Sequence, residues 1–123
     1  MPRFVIQEHH QQSSGKIEIH YDFMLEAEEI LKTWRIPNPP DQSPQTIEQI
    51  QDHRMIYLQY EGEISGNRGY VKIWDKGEYV TRTWSAQLIA IQLSGERLKG
   101  NYYIKLFESK KWIFEKSGAK TKT

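Results

Sequence analysis

Apolar residues fall in short runs that favour aromatic and β-branched types, and Gly, Pro, Asn or Ser separates each run from the next. That spacing suits half-buried strands. It predicts strands over residues 3–7, 16–25, 30–35, 55–60, 69–74, 77–84, 88–93, 101–106 and 112–116. Many short strands at near-regular intervals imply a mostly β fold, a small closed or partly open β-barrel or a sandwich, with at most one or two short helices. Residues 36–44, IPNPPDQSP, read as a surface loop, because Pro has no donor to give a ladder. Ser43-Pro44 ahead of residues 45–51, with Ile47 and Ile50 three apart, allows one small helix there. Residues 117–123 contain no large apolar side chain and two lysines, so they are expected to be a disordered basic tail after a domain over 1–116.

Composition narrows the picture. A chain of 123 residues has room for one core, and 37% hydrophobic residues with 15 aromatics among them can build it. Trp34, Trp74, Trp84 and Trp112 lie in apolar runs and read as core, although an exposed one could stack on a base. Seventeen basic against sixteen acidic residues give a net charge of +1, so a polyanion cannot be held by bulk charge and must be gripped locally. The scattered Lys72, Lys76, Lys99, Lys105, Lys110 and Lys111 could track a phosphate backbone, but lysines so placed are ordinarily just solvated. The absence of cysteine excludes a disulfide scaffold, a zinc ribbon and thiol catalysis, and leaves His and carboxylate as the only metal ligands. The N-terminus reaches charge and histidine after three consecutive apolar residues, so no secretory signal or membrane span is read and a cytoplasmic location is expected.

The segment Ile19-His20-Tyr21-Asp22-Phe23-Met24-Leu25 alternates with period two. On a strand, Ile19, Tyr21, Phe23 and Leu25 would face the core while His20, Asp22 and Met24 face solvent or a groove. A His and an Asp on one strand face can share a cation, and His9, His10 and His53 are available as a third ligand. Two imidazoles and a carboxylate suit Mn²⁺ or Fe²⁺ and could also hold Zn²⁺; alternatively the pair is a surface hydrogen bond. The same donor set serves non-haem iron oxygenases, but no clear basic residue for a keto-acid carboxylate accompanies it here.

These residues carry a resemblance. Phe4-Val5-Ile6-Gln7-Glu8-His9, His20-Tyr21-Asp22-Phe23-Met24-Leu25-Glu26 and Leu31-Lys32-Thr33-Trp34-Arg35-Ile36-Pro37 come first. Asp52-His53 with Tyr57 follows, then Glu61-Gly62, Val71-Lys72-Ile73-Trp74-Asp75-Lys76-Gly77, Gly95-Glu96-Arg97-Leu98-Lys99-Gly100 and residues 112–116. In that order they resemble the 3′-phosphoesterase domain of DNA ligase D over nearly the whole chain. The resemblance implies a compact β-barrel with a manganese-dependent site in a groove. Its substrates would be DNA 3′ ends, such as a primer–template with a terminal ribonucleotide. It would remove that ribonucleotide, a 3′-phosphate, or both during end joining, beside a separate DNA ligase or polymerase. It places the Mn²⁺ ligands at His9, His20 and Asp22, with His9 favoured over His10 because it keeps the register of Val5-Ile6-Gln7. It places the phosphate contacts at His53 and Tyr57 and matches Gln7 to a polar residue supporting the site; Gln7 and, by its position next to His53, Arg54 are the candidate substrate-binding residues.

The chain also departs from that family. Met24 stands where the family usually has Arg, Asn38 where a basic residue is expected, Gln51 where an acid is expected, and Gln45 near the position of a further arginine. His9 and His20 lie eleven apart through a polar turn over 11–15, and the glycine-rich connection over 61–69 is short. Arg35, Arg54 and Arg68 could compensate, or could be ordinary surface arginines. Loss of the family's cations should weaken the phosphomonoesterase step most. The competing expectation is a catalytically degenerate module that keeps the fold and binds nucleic-acid ends or a ligase or polymerase partner.

Overall fold

The computed structural model describes residues 1–66 and 68–117. Nine strands are described: β1 (Arg3–Ser13), β2 (Lys16–Ala27), β3 (Ile30–Ile36), β4 (Gln45–His53), β5 (Gly62–Glu63), β6 (Tyr70–Trp84), β7 (Leu88–Gly95), β8 (Lys99–Glu108) and β9 (Lys111–Lys116). All pairings are antiparallel, in the order β1-β2-β3-β4-β9-β8-β7-β6-β5. A further pairing of β1 with β6 joins the ends, so eight strands form a closed ring and β5 is a two-residue strand beside β6. Closure gives each of those eight strands a neighbour on both sides over part of its length, which narrows the usual route to edge-to-edge aggregation.

The ring is filled by aromatic and aliphatic side chains from alternate positions. Phe23 packs edge-on against Phe4 and Phe114 at 6.1 and 5.4 Å between ring centroids, and Trp34 meets Trp112 at 5.8 Å. Trp34, Trp74 and Trp112 are core, as expected, whereas Trp84 is 39% exposed. Tyr21, Phe23 and Leu25 are buried as the alternation predicts, but Ile19 is 45% exposed. The β1–β2 hairpin runs past the core there, so alternation continues without anything to cover it.

Three expected elements differ. Residues 55–60 form no strand; Met55–Leu58 is a turn of 3₁₀ helix, the only helix among the described residues. It lies over a second apolar cluster in which Leu58, Met55 and Tyr57 pack on Val5, Met24 and Leu31. The helix expected over 45–51 is strand β4, because the ring needs a member between β3 and β9, and Ile47 is buried opposite Trp112. The two strands expected over 69–74 and 77–84 are one, β6, which continues through Asp75-Lys76. The buried Asp75 carboxylate accepts backbone N–H bonds from Lys76, Glu96, Arg97 and Leu98 at 2.7–3.0 Å, fixing the β7–β8 turn. A Cβ on Gly95 would lie 2.5 Å from that carboxylate, so only glycine fits. The loop over 36–44 is a loop as expected. Ser117 donates its amide to Asn101 O at 2.7 Å, and the rest of the expected tail lies outside the described residues. Among the described residues no helix is long and apolar enough to cross a membrane.

Candidate functional site

The β1–β2 ladder sets Gln7 opposite Asp22 and His9 opposite His20. Side chains alternate across a strand, so these four share the outer face of the ring while Phe4, Ile6, Tyr21 and Phe23 fill its inside. The connection is the two-residue turn Ser14-Gly15, with φ of 52° and 77°, the left-handed pair whose twist suits a tight hairpin. A turn of that length accounts for the eleven-residue separation of the histidines. Directly opposed residues are the closest cross-strand neighbours, and the hairpin makes His9 and His20 such a pair.

His9 Nδ1 stands 3.1 Å from His20 Nε2 and 3.9 Å from Asp22 Oδ2, and His20 Nε2 is 3.4 Å from Asp22 Oδ1. The three candidate donor atoms all lie within 4.8 Å of one another. Asp22 Oδ1 is buried and accepts no hydrogen bond among the described residues. An unpartnered buried carboxylate oxygen is costly by itself and favourable when a cation meets it. Two donors held at about 2.1 Å from one cation stand about 3.0–3.4 Å apart, so the spacing fits the chemistry of the set. His9 Nε2 lies 3.3 Å from Arg68 O, which places the ring proton on Nε2 and turns the Nδ1 lone pair towards His20 and Asp22. Burial, and then the neighbouring His20, push the His9 imidazole below its usual pKa, against the pull of the Arg68 carbonyl and Asp22. A neutral imidazole is the form that binds metal.

A groove of about 750 Å³ opens over this cluster. Its lining includes His9 and Asp22 from the hairpin, His53, Arg54 and Tyr57 from the end of β4 and the 3₁₀ turn, and Gln7 at its base. His53 Nδ1 donates to Gln51 O at 3.0 Å, which leaves Nε2 for the groove, and its ring meets Tyr57 edge-on at 5.7 Å. The Tyr57 hydroxyl has no hydrogen-bond partner among the described residues, whereas Gln7 is committed. The Gln7 Nε2 donates at 3.1 Å to both Tyr57 O and Tyr60 O, so that amide holds the 3₁₀ turn in place.

His10 points away from this cluster. Its ring stacks on Tyr70 at 4.6 Å and its Nε2 lies 2.6 Å from Glu8, on the other side of the strand. Met24 shares the face of His20 and Asp22, as the alternation predicts, yet it is fully buried beneath the 3₁₀ turn. Arg54, expected on the substrate side, lines the groove, and so do Arg35 and Arg68, which the sequence leaves open, and Lys110 alone of the six scattered lysines. Arg35 could have been found from register, since it is the cross-strand partner of Asp22. Arg68 comes from a connection whose path no periodicity reveals.

The chain is similar to known proteins. The chain is 33% identical over 120 residues to the Multifunctional non-homologous end joining DNA repair protein LigD of Mycobacterium tuberculosis, a match covering 89% of this chain and 15% of that relative. It is 30% identical over 128 residues to the Multifunctional non-homologous end joining protein LigD of Mycolicibacterium smegmatis, covering 90% and 16%, and 28% identical over 113 residues to that of Pseudomonas aeruginosa, covering 83% and 13%. The chain thus spans about 15% of the length of the curated relatives it matches. The model of one family, the DNA Ligase D 3′-phosphoesterase domain, matches residues 7–105, and the chain belongs to that family.

Proposed function

We propose that this domain is a metal-dependent phosphoesterase that processes DNA 3′ ends in end-joining repair, removing a terminal ribonucleotide, a 3′-phosphate, or both. The observation that carries the reading is the convergence of His9 Nδ1, His20 Nε2 and the unpartnered Asp22 carboxylate at one end of a polar groove. His9, His20 and Asp22 would hold a divalent cation, most naturally Mn²⁺ given two nitrogens, one carboxylate and no sulfur. When bound, such an ion polarises a phosphoryl oxygen and acidifies water.

The chain's own residues supply the rest. His53, anchored through Nδ1, presents Nε2 to the groove, where in its protonated form it can donate to a phosphate oxygen or to the leaving oxygen. The uncommitted Tyr57 hydroxyl can donate to a non-bridging oxygen. Arg54, beside His53 at the start of the 3₁₀ turn, adds positive charge at the same wall, and Gln7 acts by holding that turn. A group aimed at charge that develops in the transition state contributes about 3–4 kcal/mol. The relatives' names support an end-joining setting, in which a DNA ligase or polymerase would use the repaired end.

One observation favours a second reading. Met24 leaves the position two residues after Asp22 without a cation, as a catalytically degenerate, end-binding module would. Incubation with Mn²⁺ and a primer–template ending in one ribonucleotide or a 3′-phosphate separates the two. Metal-dependent trimming that is lost in His20→Ala supports the enzyme. Tight Mn²⁺ binding without product overturns it in favour of the binding module.

A further inference from the structure

A thioether sealed beneath the 3₁₀ turn cannot meet a phosphate, so whatever contacts the anion beside Asp22 must come from elsewhere. Four cationic side chains line the groove, and they are not equivalent. The Arg68 guanidinium is spent on its own turn, donating from Nε to Ser65 O at 2.7 Å and from Nη2 to Ser65 Oγ at 3.4 Å. Arg54 belongs to the His53 wall. Lys110 lies in the β8–β9 turn, where its carbonyl accepts the Gln49 amide on β4, two strands away from Asp22.

Arg35 is different. It stands directly opposite Asp22 in the β2–β3 ladder, and its Nε is 4.0 Å from Oδ1, too far for a hydrogen bond. Its side chain is 46% exposed, and among the described residues its guanidinium makes no hydrogen bond. Glu48, its partner on the other side in the β3–β4 ladder, forms no ion pair with it within 4.0 Å. A planar group with five donors therefore stands next to the carboxylate that would carry the cation, held to it only by a 4.0 Å ion pair and with its hydrogen bonds unspent among the described residues.

We infer that Arg35 is a substrate-binding residue that takes the phosphate contact Met24 cannot make, and that it selects strands ending in a 3′-phosphomonoester. The inference rests on the phosphoesterase reading. Once a cation neutralises Asp22, the carboxylate no longer competes for the guanidinium, and two parallel N–H donors can close on the terminal phosphate. The clamp is thereby moved one strand towards β4, about 4.8 Å across the sheet. A terminal monoester offers three non-bridging oxygens and more charge than an internal diester, so a bidentate donor favours it.

The test is binding rather than turnover. Fluorescence anisotropy with saturating Mn²⁺ compares an oligonucleotide ending in a 3′-methylene phosphonate, whose carbon–phosphorus bond resists hydrolysis, with the same oligonucleotide ending in a hydroxyl. Wild-type protein should prefer the phosphonate. Arg35→Met should cut that preference about ten- to a hundredfold, the worth of a charged hydrogen-bond pair, and Arg35→Lys should restore part of it. Arg82→Met, which removes the same charge from a side chain bonded to Gln92 outside the groove, should retain it. Calorimetry of Mn²⁺ binding separates the failures. An unchanged preference in Arg35→Met with Mn²⁺ bound overturns this inference alone, and so does loss of Mn²⁺ affinity in that variant, since Arg35 would then be a prop of the centre. Failure of the wild type to bind Mn²⁺ overturns the phosphoesterase reading and this inference with it.

Discussion

The Gln7 side-chain amide donates to the Tyr57 carbonyl at 3.1 Å, tying the strand that carries His9 to the turn that carries Tyr57. Its second N–H goes to Tyr60 O at the same distance, two residues past the end of the 3₁₀ turn, so one side chain holds both the turn and its exit. Gln7→Leu should cost about 1–3 kcal/mol in chemical denaturation, because two carbonyls lose their partner. It should lower kcat while leaving Mn²⁺ affinity intact, since the three donor side chains are untouched. Equal kcat in the variant would show that the turn holds itself.

Asp22 tests the centre in a different way. Its Oδ1 is buried without a hydrogen-bond donor, so Asp22→Asn should leave the metal-free protein at least as stable as wild type in urea while abolishing Mn²⁺ binding. Wild type should gain about 2.7 kcal/mol when free Mn²⁺ exceeds its Kd a hundredfold, and the variant nothing. A large loss of metal-free stability in Asp22→Asn would mean that the carboxylate serves the fold.

Met24→Arg inserts the family's usual residue where this chain has packed a thioether between Val5, Leu31 and Leu58. The variant should lose about 1–3 kcal/mol through overpacking and burial of a charge, and phosphomonoesterase activity should not rise. A gain in activity without loss of stability would show that the 3₁₀ turn yields easily. Urea denaturation and product analysis read the two effects separately.

Tyr79 sets an alkaline limit. Its hydroxyl donates to Glu26 O at 2.6 Å, and burial pushes its pKa up to about 12 from 10. The phenol is the protonated form, so its contribution is complete below pH 10 and is lost as pH rises through about 12. Unfolding midpoints should fall over that window in wild type, and Tyr79→Phe should flatten the fall. A parallel decline in both proteins would assign alkaline unfolding to other groups.

Much of this was legible because strands announce themselves by alternation. The His20-x-Asp22 pair and the core positions Tyr21, Phe23 and Leu25 follow from period two alone. The 3₁₀ turn did not, since Met55-Ile56-Tyr57-Leu58 is apolar and aromatic enough for a strand and bends only because Gln7 and the cluster beneath it hold it. Strand β4 was equally hidden, as ring closure rather than any local preference makes 45–53 extended. The groove's arginines come from one strand and two connections, Arg35 reaching it through cross-strand register and Arg54 and Arg68 through the course of their connections.

The Ser14-Gly15 turn has a consequence for engineering. With two residues at the tip, directly opposed positions such as His9 and His20 are always an odd number apart, and because hydrogen-bonded and non-bonded pairs alternate along the ladder, the hairpin can gain or lose two residues on each arm together without moving His9 from His20. A single added residue on one arm does the opposite: it sends one set of donors to the inside of the ring. Parity, more than length, is what the centre asks of this hairpin, and its tip is accordingly a place to graft a peptide in balanced steps.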